Sequence, residues 1–278
     1  MAARRTMSTK DKRPTPGRET ITTPSGGKVT PASGGKAAPT GRAKPVPSAA
    51  SKSAGEVQDF IAKMKTMTPA ATGQRGRLIF AMDATMSRQR TWDMALALQA
   101  DMFSAVKDVG GLDVQLVFFR GTSECRASRW VSDPSELARL MTTVSCRGGL
   151  TQIGRVLSHA TEETGNRRVN ALVYVGDAME ESIDPLCAKA GALGLLGVPV
   201  FLFQEGSDPN VTRAYREIAR LTKGATCRFD AGSADQLRAL LRAVAVYASG
   251  GRKALQALSA RSGESGARLL LQQMKSGD

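Results

Sequence analysis

The chain is predicted to be an α/β protein with a doubly wound, mostly parallel sheet, one antiparallel edge strand and helices on both faces. Three observations lead there. From Arg77 onward, short apolar runs alternate with amphipathic stretches. The runs 78–82, 169–175 and 198–203 are apolar throughout, as strands buried on both faces require. Between the runs 112–119 and 126–131 the short link holding Gly121-Thr122-Ser123 has no room for a crossover helix, so the second run is expected to return antiparallel.

Each element follows from local signals. Segment 1–55 is rich in Thr, Ser, Pro, Gly and Lys, cannot bury enough apolar surface to offset chain entropy, and is expected to be disordered. It holds eleven lysines and arginines against Asp11 and Glu19, so +9 of the formal +14 belongs to it. The high charge is therefore expected to be a tail property and not a basic groove on the folded part. Val57, Phe60, Ile61, Met64 and Met67 recur at helical spacing and predict a short amphipathic helix over 56–68, followed by a linker to residue 74. Trp92, Ala95, Met102, Phe103 and Val106 mark a helix over 91–108, ended by Gly110-Gly111. Pro134 opens a short helix through Met141, and another begins near Thr151 after Gly148-Gly149. Asp184 and Pro185 supply the cap and first turn of a helix that stops at Gly197. Asp208-Pro209 begins one that ends at Gly224; 225–229 is the last strand, and Ser233 caps a final helix to about Tyr247. Residues 251–278 are expected to be a helical or flexible extension, polar after Ser259 apart from Leu269-Leu270-Leu271.

Composition excludes several classes. A hydrophobic fraction of 41% over 278 residues supports a real core, and 5% aromatics means that Leu, Val, Ile, Ala and Met must fill it. Cys125, Cys146, Cys187 and Cys227 are dispersed with no CxxC pair, which argues against zinc ribbons and dithiol redox sites and suits a reducing compartment. Residues 1–50 show no apolar core of a signal peptide, and no apolar run approaches the ~20 residues that span a bilayer, so a cytoplasmic protein is expected. There is no Gly-x-Ser-x-Gly elbow and no Walker lysine. His159, Trp92 and Trp130 are expected to serve packing.

Ligands of open parallel sheets sit beyond the carboxyl ends of the strands. There the sequence places Asp83-Ala84-Thr85-Met86-Ser87 after the first strand, Thr151 before the third helix and Asp177 after the central strand. These loops share one rim if the first and third parallel strands are neighbours. Two carboxylates and three hydroxyls, with no thiolate or imidazole, suit a hard divalent cation: Mg²⁺ first, with Mn²⁺ or Ca²⁺ as alternatives. The set resembles the metal-ion-dependent adhesion site of von Willebrand factor A domains, whose pattern is Asp-x-Ser-x-Ser, then a Thr, then an Asp. The resemblance covers roughly residues 75–250 and implies a three-layer sandwich related to the Rossmann type. It implies Thr85 and Ser87 as direct ligands, Asp83 orienting them, Thr151 and Asp177 completing the shell, and a partner's Asp or Glu side chain as the last ligand. Two departures stand out: Thr85 replaces the usual first Ser, and Gly176-Asp177-Ala178 replaces the usual Thr-Asp-Gly.

Glu180, Glu181, Glu205 and Asp208 also fall near the expected rim, where solvated loop charge is the default reading. Glu180 and Glu205, with Arg88 and Arg90, are the residues expected to touch a partner if any do. The resemblance implies a non-enzymatic interaction module of a bacterial-type cytosol, in assemblies with ATPases or chaperones. Two other classes stay open: nucleic-acid association through the basic segment 1–55, and a metal-dependent hydrolase or phosphatase.

Overall fold

The computed structural model describes residues 75–230, 233–261 and 263–275. The tail expected over 1–55 and the helix expected over 56–68 lie outside the described residues. The described part contains six strands and seven helices. The strands are β1 (Gly76–Asp83), β2 (Leu112–Arg120), β3 (Glu124–Val131), β4 (Ala171–Gly176), β5 (Val200–Glu205) and β6 (Ala225–Phe229). The helices are α1 (Gln89–Ala105), α2 (Pro134–Thr142), α3 (Ile153–Asn166), α4 (Ile183–Leu195), α5 (Pro209–Thr222), α6 (Ala234–Ser259) and α7 (Ser265–Lys275).

The strand order is β3-β2-β1-β4-β5-β6, with β3 antiparallel to β2 and every other pair parallel. Successive side chains of β1 leave opposite faces of the sheet. Leu78, Phe80 and Met82 enter one core, shared with Trp92 and Met102 of α1 and with Leu241 and Val244 of α6. Ile79 and Ala81 enter the other, shared with Val156 of α3, Leu193 of α4 and Ile218 of α5. Every residue of β1 is buried, which explains its unbroken apolar run.

The chain winds outward from β1 in both directions, β2 lying to one side and β4 to the other, all three strands parallel. Where crossovers diverge in this way a crevice opens at the carboxyl ends of the strands. The loops after β1 and β4 therefore face the same rim.

Helix boundaries depart from expectation in several places: α1 starts two residues earlier and ends three residues sooner than 91–108, and Ser233 precedes α6 without a side-chain cap bond. Asp184 lies within the first turn of α4, and Ser182 precedes it with no side-chain cap. Lys223, at φ 55°, takes the left-handed position that ends α5, so the stop falls one residue before Gly224. Helix α6 continues twelve residues past Tyr247 to Ser259, bent at Gly251, whose φ of 67° no helical residue adopts. Past the bend, α7 folds back so that Ala267 and Leu270 bury against the α6 side of the core.

Candidate metal centre

The first loop is built by its own backbone. Asp83 closes β1 and is 2% exposed. Ala84 is held from both sides: its N–H donates to the Phe119 carbonyl (3.0 Å), and its carbonyl accepts from the Arg147 N–H (2.9 Å). The chain then turns through one 3₁₀ turn, Met86–Arg88, closed by the Arg88 N–H donating to the Thr85 carbonyl at 2.9 Å. The Asp83 carboxylate folds back and accepts the Thr85 N–H at 2.7 Å, the local turn that Asp side chains favour. Thr85 Oγ1 and Ser87 Oγ are left 3.1 Å apart on one side of the turn. Burial holds the Asp83 carboxyl up, to about 6, against the opposing pull of its bonds to Thr85.

Thr151 is delivered by a close crossing of two backbones. Gly121 and Gly149 form an isolated parallel bridge, with the Gly121 N–H donating to the Gly148 carbonyl and the Leu150 N–H to the Gly121 carbonyl, both at 3.0 Å. A Cβ on Gly149 would stand 2.2 Å from the Gly121 nitrogen, so only glycine permits the approach. Thr151 then reaches the start of α3, where two glutamates of the β4–α4 loop meet it. Glu180 Oε2 accepts the Thr151 N–H at 2.9 Å and its hydroxyl at 2.6 Å. Glu181 accepts the Ile153 N–H at 2.5 Å and the Gly154 N–H at 2.9 Å. The amides that a helix start leaves unpaired are thus satisfied by side chains from another loop.

Asp177 follows β4 and is engaged as well. Arg88 Nη2 donates to its Oδ2 at 2.9 Å, while Arg88 Nη1 pairs with Glu205 at the end of β5. The Thr91 hydroxyl also donates to Glu205. Arg88 and Glu205 are 9% and 7% exposed, so this is a buried charge network. The glycine before Asp177 is explained by its neighbours: a Cβ on Gly176 would lie 2.9 Å from Tyr174 Cε1 and 3.1 Å from the Tyr215 hydroxyl. Two phenols, both pushed up in pKa by burial, fill the space that the threonine of the resembling pattern would need.

Of the five expected ligands, Asp83, Thr85 and Ser87 form one hydrogen-bonded turn, and Asp177 joins that turn's neighbourhood through Arg88. Thr151 spends its hydroxyl on Glu180. Arg88 and Glu205, expected among partner contacts, are buried against each other, whereas Arg90 and Glu180 are exposed. Solvated loop charge does not describe Glu181, Glu205 or Asp208. The first caps α3, the second anchors Arg88, and the third caps α5 by accepting the Asn210 N–H at 2.7 Å. The buried network around Arg88 was missed by sequence reasoning. Its only signal was an arginine and a glutamate, each a few residues beyond an apolar run and 117 residues apart.

The residues fit a hard cation in donor chemistry. An octahedral Mg²⁺ with ligands at about 2.0–2.1 Å places adjacent ligands about 2.8–3.0 Å apart, close to the Thr85–Ser87 separation of 3.1 Å. The second half of the donor set is committed elsewhere, Asp177 to Arg88 and Thr151 to Glu180.

No protein-family model matches the sequence, and no curated protein does. Solved structures do resemble it in fold. Proximal thread matrix protein 1 from the mussel byssus superposes with a TM-score of 0.50 at 19% identity, over 63% of this chain and 48% of that one, so the chain spans about half the length of the mussel protein. The same protein with a zinc-occupied MIDAS motif gives 0.49 at 18% identity, over 63% and 48%. The SpRpn10 VWA domain gives 0.47 at 11% identity, over 57% of this chain and 90% of that one. With its strand order and single antiparallel edge, the described part has the fold of the von Willebrand factor A domains.

Proposed function

We propose that this rim holds a divalent cation, Mg²⁺ before Mn²⁺ or Ca²⁺, and that the protein is a cytoplasmic, non-enzymatic interaction module. Its partner would supply an Asp or Glu carboxylate, in an assembly of the kind that includes an ATPase or chaperone. The observation that carries the reading is the pair of hydroxyls, Thr85 Oγ1 and Ser87 Oγ, set 3.1 Å apart by a turn that Asp83 holds from behind. A cation there would supply a Lewis-acidic position for an incoming carboxylate.

The chain's own groups divide the work. Asp83 fixes the turn and contributes charge. Thr85 and Ser87 present neutral oxygens, which leave the cation's charge available to the partner. Arg88 neutralises Asp177 and Glu205 together, and in this reading it keeps Glu205 and yields Asp177 when the site fills. Thr151 likewise exchanges Glu180 for the centre. No helix among the described residues is long and apolar enough to cross a membrane, which is compatible with the cytoplasmic reading.

Calorimetric titration of the full chain with Mg²⁺ and Mn²⁺ tests the proposal. Ser87→Ala and Asp83→Ala should each weaken binding by about tenfold to a hundredfold, the range that loss of a ligand or of its orienting group produces. Circular-dichroism melts should report an intact fold. Equal affinity in both variants and the parent would overturn the assignment. Partner capture that survives a chelator would overturn metal-dependent interaction.

A further inference from the structure

The charge that the sequence assigns to the tail is not the whole of it, because the described part carries a concentrated basic groove of its own. Helix α5 turns Val211, Ala214, Tyr215 and Ile218 into the core, and its opposite face presents Arg213, Arg216 and Arg220 at spacings of three and four. Two adjoining hollows of ≈ 430 Å³ and ≈ 600 Å³ lie along this face and share Thr212, Arg216, Arg220 and Arg228. The larger begins at the rim, beside Ile183 and Ser207. The smaller runs between α5 and the edge strand β6 to α7. Among the described residues, Glu217 is the one carboxylate lining either hollow, and both of its oxygens are taken by Arg220. Arg213 and Arg216 have no ion-pair partner among the described residues.

The floor differs from the walls. Ala219, Cys227, Leu269 and Met274 line the smaller hollow, and Leu269 is 40% exposed although it is a leucine. The edge of β6 above them is partly covered, since Gln273 Oε1 accepts the Thr226 N–H at 2.8 Å. Cationic walls over an apolar floor select a ligand that carries negative charge and apolar side chains together.

We infer that this groove docks an acidic polypeptide segment that carries leucine-like side chains among its carboxylates. The chain's own segment 1–55 is excluded as occupant by its charge of +9. A nucleic-acid strand is disfavoured because, among the described residues, neither hollow is lined by an aromatic side chain on which a base would stack. The inference does not rest on the metal reading, because none of the five rim oxygens lines the groove.

Fluorescence anisotropy on the full chain tests it, with chelator present throughout so that the rim contributes nothing. The probes are a short labelled peptide of alternating glutamate and leucine, the same peptide with serine for leucine, and a labelled oligothymidine. The triple variant R213Q/R216Q/R228Q, all exposed positions, should bind the glutamate–leucine peptide about tenfold more weakly than the parent, equivalent to about 1.4 kcal/mol. Neutralising Arg4, Arg5 and Lys10 in the tail should change it by less than about twofold. Leu269→Ser should weaken the leucine peptide and leave the serine peptide unmoved. Absence of peptide binding by the parent, or equal binding by the triple variant, overturns the inference. Loss of oligothymidine affinity in the triple variant as large as the peptide's would make the groove a nucleic-acid path instead.

Discussion

The two central strands end alike in sequence and differently in structure. β1 and β4 are neighbours, each is apolar to its last residues, and each delivers an aspartate to the same rim. Asp83 is buried and bonded to its own turn, two residues on. Asp177 is partly exposed and bonded to an arginine from another loop. The difference teaches how such a rim is assembled. Side chains from one contiguous turn are set by local hydrogen bonds at little entropic cost, whereas those from distant loops are held by long-range partners, which they would exchange if they bind a cation as proposed.

Three experiments would break or sharpen that contrast. The largest effect is expected at Arg88. Replacing it by methionine leaves Glu205 buried without its cation and should cost about 3–5 kcal/mol of stability in urea denaturation. Adding Glu205→Gln should recover most of the loss, since a neutral amide there no longer needs a counter-charge. A loss below about 1 kcal/mol in the single variant would place the pair among weak surface bridges and dissolve the distinction between the two strand ends.

The next effect is pH-dependent and belongs to the β1 end alone. Burial lifts the Asp83 carboxyl from 3.8 to about 6, so between those values the folded chain keeps a proton that the unfolded chain releases. Stability without added cation should therefore fall as pH rises from about 4 to about 6 and level off above, by about 3 kcal/mol in total. Asp83→Asn should remove that slope in denaturation series. A slope that persists unchanged in the variant assigns it to another group. The smallest effect is at Glu180. Glu180→Ala frees the Thr151 hydroxyl and should raise Mn²⁺ affinity a few-fold in calorimetry, the scale of one hydrogen bond. An unchanged affinity would mean that Thr151 does not serve the centre.

Most of the fold was legible in the sequence because its signals are local. Buried parallel strands must be apolar on both faces, and β1, β4 and β5 are. The antiparallel edge followed from a turn too short for a helix, and Pro134 and Asp208-Pro209 announce α2 and α5 in the way that first-turn and capping residues do. The 83–87 turn was legible in part for the same reason, since its residue types and spacing bring the Asp83 carboxylate and the hydroxyls of Thr85 and Ser87 into one local turn. What escaped was set by contacts at long range. Arg88 is one residue past Ser87, yet its destination depends on Glu205 across the sheet. Glu181 caps a helix that starts 28 residues before it. The basic groove joins α5 to β6 and α7, elements whose adjacency no single window of sequence contains.

The crowding beneath Gly176 reaches into the descent of the sequence. With Tyr174 and Tyr215 pressed against the place where a side chain would begin, a threonine at position 176 requires at least one of the two buried rings to shift or to be replaced by a smaller side chain. Lineages of this chain should therefore swap the three sites as a set, and a single graft of the commoner loop should fail where a triple graft succeeds.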